Sequence, residues 1–224
     1  MDAGDRWMLM DAAGTPMLAW DFNKRQDENN NYEEEERLFI TEYDDLHRPR
    51  RQWLSVNNKW QEIVERFEYQ DAKPNDTNNL NGQLIRHYDP SGRVETIRRD
   101  FKGNVEEVRR RLNNQPQAAH IEWLGNDPAA NLDGETFIQI TEYDALNRMT
   151  RLYNWHREAP NNRVAVYVPS YNAGGCCKAK PLTWEQPRRL AATRHLRKGR
   201  HRPSSRFATT KKARRPTWRW AMEL

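Results

Sequence analysis

The chain has 224 residues, 36% of them hydrophobic, and a mean hydropathy of −1.14, a polar composition that argues against one deep hydrophobic core. The formal net charge of +5 hides a division: residues 176–224 carry 15 Lys/Arg against Glu185 and Glu223, while residues 1–175 carry 22 bases and 30 acids. Two adjacent cysteines, Cys176 and Cys177, are too few for a disulfide framework and read as free thiols. No apolar run reaches the roughly 18 residues of a membrane-spanning helix, and the start, with Asp2 and Asp5, reads as having no signal peptide.

The dominant feature is repetition. Ile40-Thr-Glu-Tyr-Asp-Asp-Leu-His-Arg48 recurs as Ile140-Thr-Glu-Tyr-Asp-Ala-Leu-Asn-Arg148, with seven of nine positions identical. A looser unit places Asp or Asn three residues before Gly, His or Asn: Asp11–Gly14, Asp44–His47, Asp89–Gly92, Asp100–Gly103, Asp144–Asn147 and Asn172–Gly175. Tyr43, Tyr88, Tyr143 and Tyr171 each precede the first residue of such a unit. The spacing is that of a hairpin turn. Asp at the first position accepts backbone N–H groups two residues on, and the fourth position must take positive φ, which favours Gly and Asn and admits His.

Short segments rich in β-branched and aromatic residues flank these turns and predict strands. In chain order they are Arg37–Tyr43, Ile63–Tyr69, Gln83–Tyr88, Val94–Arg99, Thr136–Tyr143, Arg148–Trp155 and Arg163–Val168. Val105–Leu112 can be read as a helix, but Gly103-Asn104 before it favours a hairpin return strand. Three polar stretches, Lys24–Glu36, Ala72–Asn81 and Asn113–Asp133, read as loops, the first with its charge run as a solvated insertion. The fold expected for 1–175 is all-β, built of antiparallel hairpins.

Those residues resemble a known family. Asp5-Arg-Trp-Met-Leu9, Ala13-Gly-Thr-Pro16, Trp20-Asp21, Thr41-Glu-Tyr-Asp44, Arg48-Pro-Arg-Arg-Gln52, Gly82 through Val94, Asp100-Phe-Lys-Gly-Asn104 and Thr141 through Arg148 resemble Rhs/YD-repeat proteins. Within these the resemblance is to the B components of insecticidal toxin complexes (Tc toxins), and it covers nearly all of 1–175. It implies a segment of a long β-sheet wound into a hollow shell around a toxic cargo. The partners it implies are other Rhs-repeat or toxin-complex subunits and an encapsulated toxin domain. It also implies a bacterial, secreted complex with a role in virulence. The self-cleaving site of such proteins lies in a later region, so no catalytic residue is carried over.

The tail, 176–224, has no Asp, Ile, Val, Tyr or Asn. A reading-frame slip accounts for this. Trp and Met have single codons ending in G. Read one base earlier, the codons after Trp184, Trp220 and Met222 must therefore each encode Gly, and the remainder can be read as further repeat sequence. A one-base gain at Gly174-Gly175 would produce the switch. The tail is thus expected to be a disordered frameshift product and the chain a truncated fragment. The alternative is an effector whose basic tail, with Trp184, Trp218 and Trp220, binds nucleic acid or anionic surfaces without sequence specificity. His47, His87, His120, His156, His195 and His201 show no metal-ligand spacing, and no carboxylate pair, nucleophile–base set or phosphate loop stands out. No catalytic, cofactor-binding or metal-binding residue is assigned, and no cofactor is expected; the chain reads as a scaffold segment, not an enzyme.

Overall fold

The computed structural model describes residues 4–185 apart from 27–30, 60, 119–120, 126–127, 160–161 and 179–181. Fourteen strands run along it: β1 (Arg6–Met10), β2 (Pro16–Gln26), β3 (Tyr32–Tyr43), β4 (Pro49–Val56), β5 (Gln61–Tyr69), β6 (Leu84–Asp89), β7 (Gly92–Arg99), β8 (Val105–Leu112), β9 (Phe137–Tyr143), β10 (Met149–Arg157), β11 (Val164–Tyr167), β12 (Ser170–Tyr171), β13 (Cys177–Lys178) and β14 (Thr183–Glu185). The only helix among the described residues is a single 3-10 turn, Pro128–Asn131. The first eleven strands pair in sequence order, every neighbour antiparallel, and β14 closes the far side against β11. Most of this meander follows from short turns, because two- to five-residue loops can only join antiparallel neighbours; the longer segments 70–83 and 113–136 connect neighbours as well.

Val105–Leu112 is a strand, as its turn chemistry requires. The loop expected over Lys24–Glu36 is corrected. β2 and β3 run through it as the two arms of one long hairpin, with Lys24 opposite Glu34 and Arg25 opposite Glu33. Two of the four acids in the run, Glu33 and Glu34, lie across from cations in the register, and Lys24 meets Glu34 at 3.6 Å. Cross-strand charge, invisible in a linear reading, extends this hairpin.

A single-layer sheet explains the polar composition. Directly opposed residues and residues two apart share a face. One face therefore carries the ladder Glu68–Arg86 (3.2 Å), Arg86–Glu95 (2.7 Å), Arg93–Glu95 (2.9 Å) and Arg109–Glu107 (2.9 Å). Such partly exposed pairs contribute about 0.2–1 kcal/mol each. Apolar burial is concentrated on the same face. Asn113–Asp133, expected to be a loop, keeps its irregular backbone, yet it folds over the sheet. It supplies Ile121, Trp123 and Leu132 to a cluster with Ile63 and Tyr88.

Both short strands after residue 175 join the fold. β13 pairs with β12, so the boundary expected between 175 and 176 falls inside a hairpin. β14 pairs Glu185 with Val164 and Thr183 with Val166, and Arg151 meets Glu185 at 2.8 Å. A ladder needs only backbone groups, so it forms despite the unusual side chains of this stretch. Two truncations separate its contribution. A chain ending at 175 should be less stable by about 1–2 kcal/mol than one ending at 185, since removing β14 uncovers β11, whose Val164 and Val166 are buried. Urea midpoints of the two truncated chains measure the difference. The disorder expected for the rest of the tail concerns 186–224, outside the described residues.

Candidate functional site

Because strands alternate in direction, hairpins fall on two rims of the sheet. The turns after β1, β3, β5, β7 and β9 share one rim with the turn after β12. This rim holds five of the six sequence units, and four of them have one geometry. Asp11, Asp44, Asp100 and Asp144 each accept, through one carboxylate oxygen, the N–H groups two and four residues on, at 2.8–3.0 Å. The second oxygen takes a side-chain donor from the residue four on: Thr15 Oγ1 (2.6 Å), Arg48 Nε (2.8 Å), Asn104 Nδ2 (2.8 Å) and Arg148 Nε (2.7 Å). The fourth position takes positive φ throughout, including His47 (60°) and Asn147 (61°). Asn172 builds the same turn without a charge, accepting Cys176 N–H at 2.8 Å, with Gly175 at φ 77°.

Asp89–Gly92 differs because it lies on the opposite rim. There Asp89 and Gly92 face each other directly across a two-residue turn, and Gly92 has φ 135°. Asp89 still accepts the N–H two residues on, from Ser91 at 2.8 Å, but its two oxygens also hold Arg110 in a two-pronged pair, both bonds 2.7 Å. Sequence spacing alone does not separate the two turn types. It also missed a related turn, Asp76-Thr-Asn-Asn79, inside the expected loop 72–81: Asp76 accepts the Asn78 N–H on one oxygen and the Leu80 and Asn81 N–H groups on the other, and Asn79 has φ 55°. The readable signal was the same Asp-x-x-Asn spacing, obscured by surrounding Asn and Pro.

Neighbouring turns are linked side to side. His47 Nε2 lies 2.7 Å from Asp11, and Arg48 donates to the Gly82 carbonyl at 3.1 Å. Asn79 donates to the Arg99 carbonyl at 2.9 Å, and Asn104 donates to Asn147 at 3.1 Å. The tyrosines add a second set of ties. Tyr43, Tyr69 and Tyr171 donate to the carbonyls of Pro16, Pro49 and Met149, each the fifth residue after the Asp of the preceding turn on the rim. Arg48 lies 4.0 Å from the ring centroid of Tyr69, and Arg148 lies 4.7 Å from that of Tyr171. The seven-of-nine repeat is therefore a three-dimensional repeat: Tyr43 and Tyr143 both end strands half-buried, and Arg48 and Arg148 make matching contacts. Tyr43 additionally stacks on His47, at 5.2 Å, where the second copy of the repeat has Asn147.

These carboxylates are committed to structure. The Thr15 hydroxyl holds Asp11 at a pKa of about 2. Side-chain bonds from Arg48 and Arg148 hold Asp44 and Asp144 below the ordinary carboxylate range. Partial burial pushes Asp100 up, but the Asn104 amide and backbone donors outweigh it and the net shift is downward. A depressed folded-state pKa gives stability that is present above the unfolded value, near 3.8, and is lost as pH falls toward about 2. The chain should therefore lose thermal stability between about pH 4 and 2. The double variant Asp44→Asn/Asp144→Asn, which keeps an acceptor as Asn172 does, should show a shallower loss. Melting curves from about pH 5 to 2 test this; equal slopes would rule out a role for these two carboxylates.

The remaining candidates are dispersed. His87 faces Glu65 at 3.1 Å and stacks on Phe67, and His156 is buried with Nδ1 2.8 Å from the Asn154 carbonyl. His120, His195 and His201 lie outside the described residues. Among the described residues no three His, Cys, Asp or Glu side chains converge as a metal site. A cleft of about 600 Å³ beside the rim is lined by Arg48, Arg66, Glu68, Tyr69 and Arg86; Arg66 meets Glu68 at 2.9 Å, and the others are engaged in the pairs above. Cys176 and Cys177 are free and exposed.

No family model matches the sequence, and no curated protein matches it. Solved structures match its fold. The crystal structure of TcdB2-TccC3-TEV superposes with a TM-score of 0.63 at 18% identity over 82% of this chain. That of TcdB2-TccC3 gives 0.60 at 20%, and the Photorhabdus luminescens Tc holotoxin pore gives 0.61 at 19%, both again over 82%. The chain spans 8% of the length of each of these chains. It therefore has the sheet fold found in Tc toxin complex chains, in keeping with its resemblance to Rhs/YD-repeat proteins.

Proposed function

We propose that residues 1–175 are a non-catalytic structural segment of an Rhs/YD-repeat toxin shell, one that would enclose a toxic cargo together with other toxin-complex subunits. The observation that carries this reading is the rim. Its turn-capping aspartates, the groups best suited to acid–base work, are each engaged by donors of their own turn, and residues of these turns bond to the turns beside them, so their chemistry is spent on holding a single-layer sheet in register. A sheet one layer thick, with charge ladders on its face, is the form expected of a wall. The tail from 176 is read as an out-of-frame continuation in a truncated fragment, which the nucleotide sequence around Gly174-Gly175 would decide directly.

The test has two parts. Purified chain is assayed for hydrolase, transferase and nuclease turnover, and its co-sedimentation with toxin-complex subunits is measured. Background turnover with saturable co-sedimentation supports a wall segment. Turnover abolished by one point substitution would overturn it. Salt-sensitive binding to nucleic acid without subunit binding would favour the alternative, an effector acting through its basic tail.

A further inference from the structure

The cleft beside the rim lies over β4, β5 and β6, and the repeat supplies an internal comparison for the residues that line it. In each of four hairpins the sixth residue after the capping Asp is left out of the strand pairing, which makes it a β-bulge. These residues are Met17, Arg50, Glu106 and Thr150. The backbone therefore accepts an apolar, an acidic and a hydroxyl side chain at this position and does not require arginine. Glu106 is paired with Arg98 at 2.8 Å, and Thr150 donates to the Glu142 carbonyl at 3.1 Å. Arg50 is exposed, lines the cleft and has no side-chain partner among the described residues.

The next residue also departs from its counterpart. Arg151, seventh after Asp144, meets Glu185 at 2.8 Å and Glu142 at 3.9 Å. Arg51, seventh after Asp44, meets Glu42 at 3.6 Å and lies directly opposite Arg66 on β5. Like charges opposed across a ladder are destabilising, and a guanidinium cannot shed its proton to relieve them. Glu68 does not balance Arg51, because it is already shared between Arg66 and Arg86. Lys73, also on the cleft, has no side-chain partner among the described residues. The lining thus holds Arg48, Arg50, Arg51, Arg66, Lys73 and Arg86 against Asp44, Glu68 and Asp71. This excess of cations sits in a body, 1–175, that is acidic as a whole.

We propose that the cleft binds a phosphate group, as the free ion or on a small organic phosphate. Arg50, Arg51 and Lys73 carry the charge that the fold leaves uncompensated. A phosphate monoester, with about two negative charges near neutral pH, offsets most of it. Guanidinium groups suit such a ligand because their parallel N–H donors match pairs of phosphate oxygens. The volume of about 600 Å³ is that of a small-molecule site, and Tyr69 adds an aromatic ring to its lining. The wall reading neither requires this site nor depends on it.

Arginine modification by phenylglyoxal, mapped residue by residue by mass spectrometry on the full chain, reads the cleft separately from the basic tail. At matched ionic strength, saturating inorganic phosphate or phenyl phosphate should slow modification of Arg50 and Arg51 at least fivefold. Exposed Arg163, ahead of β11, should be unaffected. Protection of Arg50 should be half-complete below about 1 mM ligand. Stronger protection by phenyl phosphate assigns the site to an organic phosphate, and equal protection assigns it to the free ion. Arg51→Gln should raise the half-point for Arg50 at least tenfold. Lys59→Gln, which removes the same charge on the opposite rim, should leave it unchanged. Equal protection of Arg50 and Arg163, a half-point indifferent to Arg51→Gln, or an equal shift from Lys59→Gln would each overturn the proposal.

Discussion

Trp123→Ala is expected to destabilise the sheet by about 3–5 kcal/mol, the usual cost of emptying a buried aromatic site. Trp123 is fully buried, at 0% exposure, in a fold that is otherwise one layer thick. Its ring lies 5.3 Å from that of Tyr88, and its backbone N–H donates to the Ile63 carbonyl at 2.9 Å. The Ile63 N–H in turn donates to Glu122, and Arg66 donates to the carbonyls of Trp123 and Gly125. These polar ties hold the 113–133 segment against β5, but the apolar cluster gives them a reason to stay dry. Removing the ring should free the segment, so urea unfolding should shift and proteolysis within 113–133 should rise together. The indole N–H has no acceptor among the described residues, so Trp123→Phe should recover most of the loss. A destabilisation below about 1 kcal/mol for the alanine variant would mean that the sheet stands without its cover.

Gly92→Ala should be nearly as costly, at about 2–5 kcal/mol, for a different reason: backbone strain and overpacking in one place. A Cβ there would lie 2.1 Å from the Arg111 carbonyl oxygen, 2.8 Å from the Leu112 Cα and 2.9 Å from the Asn113 N, all backbone atoms, and φ is +135°. The clash can be relieved only by parting β7 from β8, which also pulls Arg110 from Asp89. Gly103→Ala is the matched control. It has φ +88° and open space around the missing Cβ, so it should cost only about 1 kcal/mol of conformational strain. His47 and Asn147 already occupy the equivalent position. Chemical denaturation of the two variants should separate them clearly; equal effects would show that the Gly92 contact is relaxed at little cost.

Much of the architecture was legible in the residues because its rules are local. An Asp three residues before Gly, Asn or His specifies a turn through its own backbone, so hairpins at 11–14, 44–47, 100–103, 144–147 and 172–175 follow from spacing alone. Alternating β-branched and aromatic residues between them specify strands, and short turns dictate an antiparallel meander. The equivalence of the segments around Tyr43 and Tyr143 was legible for the same reason. Arg48 and Arg148 were visible as repeated residues, but their role was not, because an Arg beside an Asp is also what a solvated turn looks like.

What needed the tertiary structure depends on partners distant in sequence. Lys24–Glu36 reads as a solvated charge run until β3 is laid beside β2 and Lys24 meets Glu34. Asn113–Asp133 reads as a polar loop because Ile121, Trp123 and Leu132 are too sparse to show a period; their burial depends on the pocket that Ile63 and Tyr88 present from other strands. Asp89 looks like its five counterparts until strand direction places it on the other rim, where Arg110 competes for its carboxylate. The same holds for the rim itself: single turns are encoded within five residues, but the bonds from His47 to Asp11, Asn79 to Arg99 and Asn104 to Asn147 exist only because strand pairing sets consecutive turns side by side. Sequence determined the units here, and only the fold decided which unit each one touches, because a hydrogen bond between turns is a property of register and not of composition.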